Sequence, residues 1–190
     1  LSLVTGSERE RLLIHLVTGG ARSGKSCYAE QLANEQAQVT YVATATPGDD
    51  EMAARIQRHK KDRPAHWALV EEPFELSSVV NASSSTLLID CLTLYLTNWL
   101  CNEQRWPDFE QEKSELLSAL KKASEVPGQD IFIVTNEVGS GIVPLGELSR
   151  RFADEAGWLN QAVAAIADDV TLVVSGCPLA LKRNGVLLHG

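Results

Sequence analysis

Five short segments are nearly continuous apolar runs rich in β-branched residues: 12–18 (LLIHLVT), 39–43 (VTYVA), 86–89 (TLLI), 131–135 (IFIVT) and 170–175 (VTLVVS). A strand with one wet face alternates apolar and polar positions. A run without alternation predicts a strand covered on both faces. Between the runs the apolar spacing changes to three and four. Residues 25–36 carry Ala29, Leu32 and Ala33 on one side, 109–124 repeat Leu116, Leu117 and Leu120 against charge, and 147–167 carry Leu148, Phe152, Leu159, Val163 and Ile166. That period predicts amphipathic helices. Strands alternating with helices predict an α/β fold on a mainly parallel sheet with right-handed crossovers. Polar loops are expected at 81–85 (NASSS) and at Pro127-Gly128. Neither is long enough to divide the chain, so 12–190 reads as one domain and 1–11 as a leader without assigned function.

Composition narrows the class. The 190 residues are 44% hydrophobic and 22% charged, ordinary for a globular domain with a real core. The net charge of −8 argues against nonspecific nucleic-acid binding, which runs on phosphate neutralisation, but leaves room for a local basic pocket. No apolar run approaches the roughly 18 residues of a membrane span, and the first residues lack the pattern of a signal peptide. Cys27, Cys91, Cys101 and Cys177 are too widely spaced for a zinc ribbon or a redox pair. They are expected to be reduced and mostly buried, which suits the cytoplasm.

The strongest chemical signal is Gly19, Gly20, Ala21, Arg22, Ser23, Gly24, Lys25 and Ser26, which fits G-x-x-x-x-G-K-[ST] at every fixed position. A buried strand is expected before it and a helix after it, the context a phosphate loop needs. Glycines let backbone N–H groups curl around phosphate oxygens, and the helix N-terminus adds partial positive charge. Lys25 is expected to reach the β- and γ-phosphates of a nucleoside triphosphate and the Ser26 hydroxyl to ligate Mg²⁺. Asp90 ends the third apolar run. An acid there either caps a turn or, beside a phosphate loop, holds the metal.

Residues 49–61 read as a helix opened by Asp49 or Asp50, with Met52, Ala53 and Ile56 as its apolar face and His59 at its border. Arg55 is one turn before His59, and Lys60, Lys61 and Arg63 follow. Neighbouring cations keep a histidine neutral and therefore nucleophilic, and would stabilise charge at an attacked phosphorus. The same residues also read as a solvated basic face at a helix C-terminus. His15, in a buried strand, reads as packing. Glu137, in the loop after the fourth run, is either a proton acceptor or Mg²⁺ contact, or a plain loop acid. Trp67, Trp99, Trp106 and Trp158 read as core or interface.

Together, several stretches resemble the adenosylcobinamide kinase/adenosylcobinamide-phosphate guanylyltransferase family. They are 19–26 (GGARSGKS), 49–59 (DDEMAARIQRH), 63–67 (RPAHW), 87–92 (LLIDCL), 134–144 (VTNEVGSGIVP) and 150–161 with Gly157 and Asn160-Gln161. The resemblance runs over about 16–182. It implies a phosphate-loop sheet similar to recombinase-type ATPases, and two reactions. A nucleoside triphosphate, ATP or GTP, phosphorylates adenosylcobinamide, and GTP then donates GMP to that phosphate through a GMP–histidine intermediate. The matching histidine is His59. The resemblance carries nucleotide contacts onto the phosphate loop, Thr44, Ala45 and Thr46, Lys60, Lys61, Asp62 and Arg63, Glu71 in preference to Glu72, and Asp90. It also implies a homotrimer with sites near subunit contacts. Kinase chemistry needs attack at the γ-phosphorus and guanylyl transfer at the α-phosphorus. One site must therefore hold nucleotide in two ways, or the segment carrying His59 must move. A plain kinase with a structural His59 and a nucleotide-gated regulator are the competing readings; the missing N-K-x-D element disfavours the regulator.

Overall fold

The computed structural model describes residues 13–46, 48, 64–126 and 129–188. Eight strands form one sheet in the order β3-β2-β4-β5-β1-β6-β7-β8. They are β1 (Ile14–Thr18), β2 (Val39–Ala43), β3 (Ala68–Glu71), β4 (Thr86–Asp90), β5 (Ile131–Val134), β6 (Asp169–Val174), β7 (Cys177–Arg183) and β8 (Val186–Leu187). The first six pair in parallel, and β7 and β8 close the sheet antiparallel. The described helices are α1 (Lys25–Ala33), α2 (Leu76–Ala82), α3 (Leu92–Leu100), α4 (Phe109–Ala123) and α5 (Glu147–Ile166), with a 3-10 turn at Trp106–Asp108.

The unalternating runs are explained by two apolar cores, one on each face of the sheet. Successive strand residues point to opposite faces. Leu16, Leu87, Ile89, Ile131 and Ile133 meet the core shared with α2, α3, α4 and α5. Val17, Leu88, Phe132 and Val134 meet the core shared with Ala29 and Ala33 of α1 and with Trp67. Burying one such side chain contributes about 1.5–3 kcal/mol. The amphipathic α4 also complements its own dipole, with Glu110 and Glu112 in its first turn and Lys121 and Lys122 in its last.

All five expected strands and the three expected described helices are present, with no end displaced by more than three residues. Residue 175 leaves the last run because the chain reverses there: Ser175 (φ 52°) and Gly176 (φ 79°) make a two-residue hairpin into β7. Asn81 and Ala82 belong to α2, so the polar loop shortens to its serines. The expected loop at Pro127-Gly128 and the expected helix over 49–61 lie outside the described residues. The cysteines correct the expectation of burial. Only Cys91 is buried; Cys27, Cys101 and Cys177 are exposed, though none is paired. Cys27 falls on the face of α1 away from the sheet, Cys101 follows the end of α3, and Cys177 starts an outer strand. No described helix is long and apolar enough to cross a membrane.

Candidate nucleotide site

Parallel register lines up Glu71, Ala43, Asp90, Val134 and Val17 in one row, each the Cα partner of the next. Residues just beyond that row form the carboxyl edge of the sheet, where parallel α/β sheets bind ligands. The row brings together stretches that the sequence scatters over more than a hundred positions.

The phosphate loop leaves the end of β1 and enters α1, whose N-cap is Gly24 with no side-chain cap bond. Gly24 has φ +95°, and a Cβ there would come within 3.3 Å of Gly176 Cα. The Gly176 N–H donates to the Ser23 carbonyl at 2.8 Å. The loop therefore rests on the β6–β7 turn, and glycine is required on both counts. Lys25 is 8% exposed, and its Nζ donates back to the Gly20 carbonyl at 3.2 Å. Gly20, Ala21 and Arg22 are exposed, Ser23 is buried, and Ser26 is half-buried in the first turn of α1. This is the folded-back loop with inward lysine that phosphate oxygens need.

Asp90 closes β4, with β5 between it and β1. The Tyr41 hydroxyl donates to Asp90 Oδ2 at 2.9 Å. The Cys91 thiol is pushed up to about 11, by burial first and the Asp90 carboxylate second, with Lys25 opposing. The Lys25 ammonium and the Asp90 carboxylate thus both act on the same neighbour. The Ser26 hydroxyl and the Asp90 carboxylate are hard oxygen donors, a set that fits Mg²⁺ shared with substrate phosphates. Among the described residues no cluster of three or more His, Cys, Asp or Glu is arranged as an all-protein metal site.

Thr44, Ala45 and Thr46 follow β2 at the same edge. The Thr44 N–H donates to the Asp90 carbonyl at 3.2 Å, its hydroxyl donates to the Cys91 carbonyl at 2.8 Å, and the Cys91 N–H donates to that hydroxyl at 2.9 Å. Glu72 Oε1 accepts the Phe74 and Glu75 N–H groups at 2.8 and 2.9 Å, so Glu72 fixes the turn that leads into α2, while Glu71 is exposed on β3. The loop after β5 touches the phosphate loop, because the Glu137 N–H donates to the Gly19 carbonyl at 3.1 Å. Asn136 is held by Thr93 and Asn160, and its buried Oδ1 has no partner among the described residues. The Glu137 carboxylate accepts the Gly139 N–H at 3.0 Å. Arg150 binds the Pro144 and Leu145 carbonyls, and Arg151 lies over the Trp106 ring at 4.3 Å. Trp67 and Trp99 are core, whereas Trp158 is exposed.

His59, Lys60, Lys61, Asp62 and Arg63 lie outside the described residues. Three residues that shape the site escaped the sequence reading: Tyr41, Thr93 and Asn98. Their roles depend on partners 25 to 54 positions away, so no local pattern marks them. The one available signal was an amide in the otherwise apolar and threonine-bearing α3 (LTLYLTNWL).

Comparison with known proteins identifies the family. The family model described as cobinamide kinase / cobinamide phosphate guanyltransferase matches residues 15–181. A Pseudomonas aeruginosa protein named bifunctional adenosylcobalamin biosynthesis protein CobP is 49% identical over 172 residues, covering 88% of this chain and 96% of its own length. Proteins named bifunctional adenosylcobalamin biosynthesis protein CobU, from Salmonella typhimurium and Escherichia coli, are 43% and 42% identical over 179 residues, covering 88% of this chain and 98% of theirs. A family match over most of the chain, with the phosphate loop and Asp90 inside it, leads to one conclusion: this chain belongs to the cobinamide kinase / cobinamide phosphate guanyltransferase family.

Proposed function

We propose that this protein phosphorylates the aminopropanol hydroxyl of adenosylcobinamide and then transfers GMP from GTP to the new phosphate, giving adenosylcobinamide-GDP and pyrophosphate. The observation that carries the reading is Lys25, buried and folded onto the Gly20 carbonyl at one edge with Asp90, in a chain of this family.

In the first reaction the backbone N–H groups of residues 19–26 bind the β- and γ-phosphates, and Lys25 balances the charge that builds on them. The substrate hydroxyl oxygen bonds to the γ-phosphorus as the bond to the β-phosphate bridging oxygen breaks. A nucleoside diphosphate leaves, and the hydroxyl proton is released. Glu137, beside the phosphate loop, is the candidate acceptor for that proton. In the second reaction a ring nitrogen of His59 attacks the α-phosphorus of GTP and pyrophosphate leaves. A phosphate oxygen of the corrinoid then displaces His59 by breaking the P–N bond. Arg55, Lys60, Lys61 and Arg63 surround His59 in sequence and favour its neutral, nucleophilic form. Thr44, Ala45, Thr46, Asp62 and Glu71 complete the nucleotide contacts in this proposal.

Mg²⁺ bound by Ser26 and Asp90 would supply charge neutralisation between the phosphates. We further propose a homotrimer acting in the cytoplasm on ATP or GTP and the corrinoid.

The test is incubation with adenosylcobinamide, Mg²⁺ and GTP labelled at the γ-phosphorus in one arm and the α-phosphorus in the other. Both labels are expected in the corrinoid product, the γ-label first. Transfer of the γ-label alone reduces the chain to a kinase, and transfer of neither removes the reading.

A further inference from the structure

Helix α3 begins two residues after Asp90 and is apolar along most of its length, yet in its last turn it carries Asn98, half-buried. The amide of Asn98 is used by two different loops. Its Nδ2 donates to the Thr44 carbonyl at 2.7 Å and to the Pro73 carbonyl at 3.1 Å. Its Oδ1 accepts the Thr46 hydroxyl at 2.9 Å. A carboxamide is the side-chain type that offers two donors and an acceptor oxygen from one end, and here both donors are used and the oxygen accepts one bond. The next residue adds a parallel tie, Trp99 Nε1 donating to the Phe74 carbonyl at 3.1 Å. One turn of α3 thus grips the chain just after β2 and just after β3.

Those two exits stand far from the phosphate loop. The order β2-β4-β5-β1 puts three strand intervals between β2 and β1, about 14 Å at the usual spacing. A triphosphate seated on residues 19–26 leaves its β- and γ-groups near β1. The 44–46 turn is therefore placed for the part of the nucleotide that extends away from them.

We propose that Asn98 is a positioning residue for the nucleoside portion of the bound nucleotide. It fixes the 44–46 turn and the exit of β3 as one unit, while the phosphate loop holds the triphosphate independently. This rests on the reading of Thr44, Ala45, Thr46 and Glu71 as nucleotide contacts. Asn98 itself touches the loops, not the ligand.

The experiment compares GTP with inorganic tripolyphosphate, which has no nucleoside. Binding of each is measured by calorimetry in Mg²⁺ for the full chain, Asn98→Ala and Asn98→Asp. Asp keeps the size and the acceptor for Thr46 but sets a carboxylate against two carbonyls, so it separates hydrogen bonding from packing. We expect GTP to weaken at least about tenfold in both variants, and tripolyphosphate to stay within about twofold. Equal weakening of both ligands would mean that Asn98 serves only the fold, and an unchanged GTP affinity in Asn98→Asp would mean that packing suffices; either overturns the proposal. If the unsubstituted chain binds tripolyphosphate but shows no added affinity for GTP, the assignment of the nucleotide contacts fails before Asn98 is in question.

Discussion

The Tyr41 hydroxyl donates to Asp90 Oδ2 at 2.9 Å, joining the middle of β2 to the end of β4. Burial and the adjacent carboxylate hold the Tyr41 hydroxyl well above its ordinary pKa, so it stays a donor across the working pH range. The bond orients the carboxylate proposed to serve the metal.

Tyr41→Phe removes only the oxygen. We expect a stability loss of about 1.5–3 kcal/mol, since the acceptor is a carboxylate. We also expect the Mg²⁺ concentration for half-maximal phosphoryl transfer to rise about tenfold, because an outer partner of a ligand has been removed. A Mg²⁺ titration of initial rates checks this, and an unchanged midpoint would show that Asp90 needs no help from Tyr41.

Gly19 and Gly20 are adjacent in the loop but differ in what a methyl group would meet. At Gly19 a Cβ would come within 2.4 Å of the Val173 carbonyl oxygen and 2.6 Å of Ser23 Oγ; at Gly20 nothing lies within 4 Å. Gly19→Ala is expected to cost about 1–3 kcal/mol in chemical denaturation and to abolish tight GTP binding. Gly20→Ala should leave the denaturation midpoint where it was. Equal midpoints for the two variants would refute the packing of this loop on β6.

His15 is a buried base rather than a reactive one. It is 1% exposed, with Nε2 2.8 Å from Thr171 Oγ1. Burial lowers its pKa from 6.5 to about 4, with Asp169 opposing and Arg183 reinforcing. The unfolded chain therefore binds the extra proton between those two values. The contribution is fully present above about pH 6.5 and is lost as pH falls towards 4, a swing of roughly 3 kcal/mol. Urea unfolding across that range should show the slope in the native chain and a shallower one in His15→Asn. Parallel profiles would mean that His15 titrates normally.

The parts of the fold legible in the sequence were those whose burial is symmetric. β1, β4 and β5 are covered on both faces, so their composition alone marked them. β3 (ALVE) was missed because it is short and largely exposed at the sheet edge, and β7 (CPLALKR) because a proline and charges disguise an outer antiparallel strand. α2 (LSSVVNA) and α3 (LTLYLTNWL) were missed for opposite reasons: one has little apolar stripe, and the other is apolar on almost every side. At the site, the phosphate loop was readable because its chemistry is local. Asp90 needed its strand position, and Tyr41 and Asn98 needed the sheet order itself. The cysteine expectation failed because residue-type averages say nothing about which side of α1 Cys27 occupies.

In the proposed second reaction GMP passes through His59. The most direct measurement is incubation with Mg²⁺ and GTP labelled at the α-phosphorus, followed by denaturing electrophoresis of the native chain and His59→Ala. We expect label that remains on the native chain, is lost in acid, survives base, and is absent from the variant. A folded, GTP-binding native chain that takes up no label would contradict guanylyl transfer through a covalent histidine, and label persisting in His59→Ala would place the nucleophile elsewhere.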